Sequence, residues 1–311
     1  MPAKNNQQPT VNICILTYRR PELLEQCLQS LMSMNIPSGI HLITTVIEND
    51  QEQQSRALVE SLASHAPFAL NYVCEPKRGI PVARNRALEF CREQHCDYII
   101  FIDDDEWVDP NWLKNLYQYC QEQGGQAVIS GKVIPILPDD IEEPIRQLFT
   151  SKDRPTGTQL TACATNNVIL PIELYSQYNL RFDDSIPLAG GTDTKFFSQA
   201  HALGITLIKC DEAIVYENIP KTRANVEWLA ERKYRVGITV AWRRKHKGDS
   251  VKKIRLSAHS AIAIGRLRVA MYGLTKNKLK QIQAQLRIHK ARGILAGLKG
   301  TEVESYKNPQ Y

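Results

Sequence analysis

The chain has no run near the roughly 18 consecutive apolar residues that a membrane-spanning helix requires, so no transmembrane segment is expected in it. The opening MPAKNNQQPT has no apolar stretch of the secretory kind, and no secretory signal is expected there. The eight cysteines (14, 27, 74, 91, 96, 120, 163, 210) are scattered, and no two form a CxxC pair. Several sit in apolar runs, as in Asn12-Ile13-Cys14-Ile15, which suits buried reduced thiols of a cytosolic protein. None of the seven histidines has a partner at HxxxH spacing, so no zinc is assigned. No internal repeat or low-complexity tract is present.

Acids are scarce in one part only. Residues 1–220 hold 17 Lys+Arg against 28 Asp+Glu, whereas residues 221–311 hold 22 against 5, so the overall net charge of +6 hides an acidic front and a basic tail. Such a tail implies a polyanionic neighbour: a lipid surface, a nucleic acid or an acidic partner. A nucleic acid is disfavoured, because aromatic residues in the tail (Trp228, Tyr234, Trp242, Tyr272) are sparse and no RNA-binding motif occurs.

What is present first is an alternation of strand and helix patterns. Apolar runs at 11–16, 41–47, 70–74 and 98–102 read as strands. Between them stand helical patterns opened by Pro21 and Pro81, one around 55–64, and one after Pro110. This predicts an α/β fold with a mostly parallel sheet, whose ligands bind beyond the carboxyl ends of the strands. Further on, 127–134, 166–170 and 205–209 read as strands, 194–203 as a helix, and 135–158 as loops. From about 222 the chain is helical and basic, yet no clean amphipathic stripe is found in 226–247, 250–273 or 276–299. The expected division is a catalytic domain over 1–220 and a helical region over 221–311.

Polar motifs follow each of the first four strands. Thr17-Tyr18-Arg19-Arg20-Pro21 follows the first, and Glu48-Asn49-Asp50 the second. Each alone suits an ordinary loop, turn or cap. After the third, Gly79 allows a tight turn, the helix start offers N–H groups to an anion, and Arg84 could fork onto a diphosphate; a solvated helix face is the competing reading. The fourth strand, Tyr98-Ile99-Ile100-Phe101-Ile102, ends in Asp103-Asp104-Asp105-Glu106. Adjacent acids at the end of a buried strand repel one another unless a cation joins them. A hard divalent ion carrying phosphate oxygens fits that need. Further along, Gly190-Gly191-Thr192-Asp193 precedes a helix, as either a cap or a loop carrying a general base.

In this order, these motifs resemble the inverting glycosyltransferases of family 2, which have the GT-A (Rossmann-like) fold, over roughly residues 10–220. Beyond them, Tyr216-Glu217-Asn218-Ile219-Pro220, Arg223, Trp228-Leu229, Arg232, Tyr234-Arg235, Gly237 and residues 291–298 are similar to the succinoglycan-type glucosyltransferase branch. The resemblance implies a nucleotide-diphosphate sugar donor, most often UDP-linked, and Mg²⁺ or Mn²⁺. It implies a glycan acceptor in surface or exopolysaccharide synthesis, and the basic tail, read as resting on anionic lipid, would present that acceptor in lipid-linked form. Thr17, Tyr18, Arg19, Glu48, Asn49, Asp50, Gly79 and Arg84 would line the donor site. Asp103 and Asp105 would form the metal-binding DxD pair, with Asp104 beside the donor or structural. Asp193 matches the catalytic base. The chain departs from the family where Glu48-Asn49 replaces a common Asp-Asp, and where Thr192 precedes the base in place of Glu. A cytoplasmic location is expected, peripheral at the inner face of the membrane, where the basic tail meets anionic lipid; packing of those helices on the protein itself is the alternative. A metal-dependent nucleotidyltransferase and a basic nucleic-acid-binding protein are the competing functions.

Overall fold

A computed structural model describes residues 8–150, 154–185 and 191–300 of the protein. Its first half alternates as the apolar pattern predicts: β1 (Thr10–Thr17), α1 (Pro21–Met32), β2 (His41–Glu48), α2 (Arg56–Ala63), β3 (Ala69–Cys74), α3 (Ile80–Glu93) and β4 (Tyr98–Asp103). Proline stands in the first turn of both α1 and α3, where no helical N–H is needed. The second half adds β5 (Glu106–Val108), α4 (Trp112–Glu122), β6 (Val128–Ile136), α5 (Glu143–Phe149), β7 (Val168–Pro171), α6 (Glu173–Tyr178), α7 (Thr192–Ala202) and β8 (Leu207–Asn218).

These strands form one eight-stranded sheet in the order β3-β2-β1-β4-β7-β6-β8-β5. The first four are parallel; β7 runs antiparallel to β4 and to β6, and β8 antiparallel to β5. The side chains of β4 alternate between two buried clusters. Tyr98, Ile100 and Ile102 join α1 and α4 on one face, while Ile99 and Phe101 join α3 and α7 on the other. By the same alternation Asp103 points to the α3 and α7 side.

Three elements depart from the sequence reading. The acidic end of β4 turns through Asp104 and Asp105 straight into β5, whose only strand partner among the described residues is the end of β8. Residues 135–158 hold α5 as well as loops. β8 continues well past residue 209, through Asp211 and Glu212, because its inward-facing Ala213 and Val215 reach the core. Asn167 ties this half together. It receives the Trp112 indole N–H at 2.8 Å and donates its amide to the carbonyls of Lys132 and Ala213.

The described residues form two compact units: 8–134, 154–185 and 192–217 make the first, and 135–150, 191 and 218–300 the second. The second contains α8 (Val226–His246), α9 (Val251–Leu274) and α10 (Lys278–Leu298). α10 packs against both α8 and α9, which scarcely meet. This arrangement accounts for the missing amphipathic stripe, since α10 is covered on two sides and its buried residues Ile282, Ala284, Leu286 and Ile288 cannot share one face. α5 adds Leu148 and Phe149 to the cluster of Leu229, Ala230, Ile282 and Leu286. Lys221 pairs with Asp140 and Lys278 with Glu142. Among the described residues no helix is long and apolar enough to cross a membrane.

Candidate active site

The parallel register brings the strand ends level. Leu16 pairs with Asp103, Thr17 with Glu48, and Glu48 with Cys74, so the loops after β1, β2, β3 and β4 open on one edge of the sheet.

On one side of that edge lie the loops after β1, β2 and β3. Arg19 has left-handed backbone (φ 54) and donates Nε to Asp50 at 2.5 Å and Nη2 to Glu52 at 2.7 Å. The Tyr18 ring has the guanidinium of Arg78 4.7 Å from its centroid and that of Arg19 at 5.3 Å. A flat ring with two planar cations beside it offers π surface and positive charge to a nucleobase and its phosphates. Glu48 and Asn49 brace the loops around it. The buried Glu48 carboxylate accepts from the Ser55 backbone N–H and hydroxyl and from the Tyr72 hydroxyl at 2.6 Å. Asn49 donates to the carbonyls of Glu75 and Lys77 and accepts the Gly79 N–H at 2.7 Å. Gly79, at φ 148, takes a backbone form that a side chain would strain, just where α3 begins.

The acids occupy the other side. Asp104 is buried, accepts the Thr17 hydroxyl at 2.9 Å and lies 3.3 Å from Arg20 Nη1, which is also 3.5 Å from Asp105. Burial pushes its carboxyl up to about 7, against the opposing pull of Arg20. Asp103 is pushed up to about 6, first by burial and then by Asp105; Arg84 works the other way and Asp193 adds repulsion. Asp105, Arg84 and Asp193 are therefore each close enough to act on the charge of Asp103. Glu106 is buried beside them, accepting from the Asp103 N–H at 3.0 Å and the Asn166 amide at 3.1 Å, and burial drives it well above the usual carboxylate range.

Arg84 and Asp193 arrive from two helices that share a clamp. Asn85 of α3 exchanges two hydrogen bonds with the Phe182 backbone, each 2.9 Å. The Phe182 ring stacks on Phe196 of α7 at 4.2 Å and lies under Arg84. Arg84 Nη1 also donates to the Thr192 hydroxyl at 3.4 Å, one residue before Asp193. Gly190, the first residue of that motif, lies outside the described residues, as do residues 1–7 of the polar opening segment.

The sequence pattern alone assigns no individual role to Arg20, Arg78 or Glu106. Arg20 had a usable signal, because three adjacent acids require a cation nearby. Glu106 had none, since a fourth acid in a row looks like solvent-facing loop until β5 buries it.

Oxygen donors fit a hard cation here. The Asp103 and Asp105 carboxylates are close, mutually repelling and partly buried. Among the described residues no three His, Cys, Asp or Glu side chains converge as a complete metal cage. Two carboxylates, with water and phosphate completing the shell, is the mode Mg²⁺-type ions favour.

A model of the family described as glycosyl transferase family 2 matches residues 12–175, more than half of the chain. The chain belongs to that family. This glycosyltransferase is also 32% identical over 304 residues, 97% of each chain, to the succinoglycan biosynthesis protein ExoM of Rhizobium meliloti (strain 1021). Its fold is that of solved GT-A glycosyltransferases. It matches S. aureus TarS 1–349 in complex with UDP at TM-score 0.55 and 14% identity, over 94% of this chain and 92% of that one. It matches GalNAc-T7 with UDP, GalNAc and Mn²⁺ at TM-score 0.56 and 12% identity, over 76% of this chain and 51% of that one. The α/β fold and the glycosyltransferase assignment expected from the sequence are borne out. The family match spans the acid triplet of the glycosyltransferase but stops before Asp193.

Proposed function

We propose that this glycosyltransferase transfers a sugar, with inversion, from a UDP-linked donor to a lipid-linked glycan acceptor during synthesis of a surface or exopolysaccharide. The observation that carries the reading is the gathering of Asp103, Asp105, Arg84 and Asp193 at one edge of the sheet. The likeness to an ExoM protein named for succinoglycan biosynthesis supports the polysaccharide setting, and UDP-bound TarS supports the donor class.

Each residue has a task in this reading. Tyr18, with Arg19 and Arg78 beside it, stacks the base. Glu48 and Asn49 hold the pocket's shape, Asp50 fixes Arg19, and Thr17 fixes Asp104. Gly79 lets the backbone approach the donor at the start of α3. Asp103 and Asp105 would hold Mg²⁺ or Mn²⁺, which when bound supplies positive charge to the diphosphate. Arg84 adds a fixed positive charge on the same side. Asp193 takes the proton from the acceptor hydroxyl as that oxygen attacks the anomeric carbon on the face opposite the leaving group. The basic tail rests on anionic lipid at the cytoplasmic face of the membrane, where such an acceptor is presented.

The test is Asp193→Asn assayed with a nucleotide-sugar panel and lipid-linked glycan. Removing a general base lowers kcat by about 10²–10⁴-fold, while UDP still binds as in the unmodified protein. Full transfer by Asp193→Asn would refute the assignment of the base. Release of pyrophosphate from a nucleoside triphosphate would instead identify a nucleotidyltransferase.

A further inference from the structure

α9 carries an apolar ridge that none of the other described residues covers. Leu256, Leu267 and Leu274 are 69%, 72% and 88% exposed, and Ile264 and Met271 beside them are also exposed. The steps of eleven and seven residues between the three leucines are close to whole numbers of helical turns, so they form one line along the helix. Ile254, Ala258 and Gly265 lie half a turn round from that line and are buried. Gly265 marks the side pressed on α10, since a β-carbon there would fall 2.5 Å from Ile288 Cγ1. α9 thus has two opposed apolar faces, and among the described residues only one is used in packing. Their opposition is why the sequence shows no single stripe.

The flanks of the ridge are cationic. Lys252, Arg255 and Arg266 lie on one side and Lys253 and Arg268 on the other, all exposed, and α9 contains no Asp or Glu at all. This chemistry selects the occupant. A second copy of α9 would bury the leucines but set arginine against arginine along both flanks of the seam, with no acid on either α9 to pair them. A nucleic acid would neutralise the cations but leave the leucines in water. An anionic bilayer satisfies both: headgroups meet the Lys and Arg flanks while the ridge enters the acyl boundary.

We propose that α9 is the element that seats this protein on an anionic membrane surface, with Leu256, Leu267 and Leu274 as its inserted ridge. The proposal rests on the membrane reading of the basic tail given above and narrows it to one face of one helix.

The full-length protein is sedimented with vesicles of phosphatidylcholine alone and of phosphatidylcholine with phosphatidylglycerol, alongside the triple variant Leu256→Gln, Leu267→Gln, Leu274→Gln. The three sites are solvent-exposed, so the fold is retained, and circular dichroism checks that. The unmodified protein binds the anionic vesicles, and the triple variant partitions at least about tenfold less, as removal of three inserted leucines requires. A Leu267→Trp variant gives a direct depth reading: its emission shifts to the blue on anionic vesicles and is quenched by brominated acyl chains. Equal vesicle binding by the triple variant would overturn the assignment to α9 while leaving the basic-tail reading standing. Absence of binding by the unmodified protein would overturn both. A dimer that the triple variant converts to monomer, with vesicle binding unchanged, would give the ridge to a second copy and overturn the proposal.

Discussion

Alanine at Gly293 of α10 is expected to break the second unit, although alanine is the better helix former. Gly293 and Gly237 of α8 face one another where the two backbones touch. A β-carbon at Gly293 would lie 2.8 Å from the Tyr234 carbonyl carbon, with the carbonyl oxygen nearer still, and one at Gly237 would lie 2.9 Å from the Ile294 nitrogen. Carbon contacts settle at about 3.5–4.0 Å, so α8 and α10 would have to part by about 1 Å along this seam. Both obstacles are helix backbone and neither can rotate away. Overpacking of this kind costs about 1–3 kcal/mol and at times more, and the lost contact along the opened seam adds to it. Set against that is the gain of about 0.5–1 kcal/mol from replacing helical glycine by alanine. The net loss expected for Gly293→Ala is about 1–2 kcal/mol before the lost seam contact is added, read as a fall in the urea midpoint at unchanged slope. Trp228 and Trp242 stand on α8 and report it by fluorescence. Gly273→Ala is the internal control: the nearest obstacle there is the tip of Gln281 at 3.0 Å, a flexible side chain, so this variant is neutral or slightly stabilised. If Gly293→Ala and Gly273→Ala shift the midpoint alike, the close backbone contact between α8 and α10 is wrong.

Asn167→Ala strands the Trp112 indole N–H and the carbonyls of Lys132 and Ala213; a loss of about 3 kcal/mol is expected in thermal or denaturant unfolding. Asn49→Ala removes the tie from the end of β2 to the loop before α3, and both stability and UDP affinity fall, the second by calorimetry. Arg78→Ala removes the guanidinium that lies against the Tyr18 ring and weakens UDP binding about five- to twentyfold, read by calorimetry. Chelation with EDTA abolishes the rise in melting temperature given by UDP; Mn²⁺ restores it in the unmodified protein and fails to do so in Asp105→Ala.

Much of the first unit is legible without coordinates because its signals are local. The β-branched runs of β1, β2 and β4, and Pro21 and Pro81 at helix starts, are each specified within a few residues. The acid triplet is legible for the same reason: charge beside a buried strand is visible in a line of letters. β5 is not, since three residues acquire strand form only by lying against the end of β8, more than a hundred residues away. The roles of Glu48 and Asn49 are equally hidden. Their residue types suit ribose contact and loop bracing alike, and only the positions of Tyr72, Ser55 and Gly79 show which bonds they make. In α9, apolar residues on opposite sides cancel in any periodicity count, and the presence of α10 against one side is what distinguishes packing from exposure.

The sequence by itself determined the alternation of strand and helix, the acids at the end of β4, the split of charge at about residue 220, and the family to which the chain belongs. These are properties of near neighbours or of ordered motifs, and they survive in one dimension. The tertiary structure alone decided that Arg84 and Asp193 lie close enough to Asp103 to act on its charge, that Arg20 and Thr17 hold Asp104, that glycines let α8 touch α10, and that one ridge of α9 is left uncovered by the described residues. Each of these depends on chain-distant groups brought within a few ångströms, where burial and charge act steeply with distance and where sequence spacing carries no information.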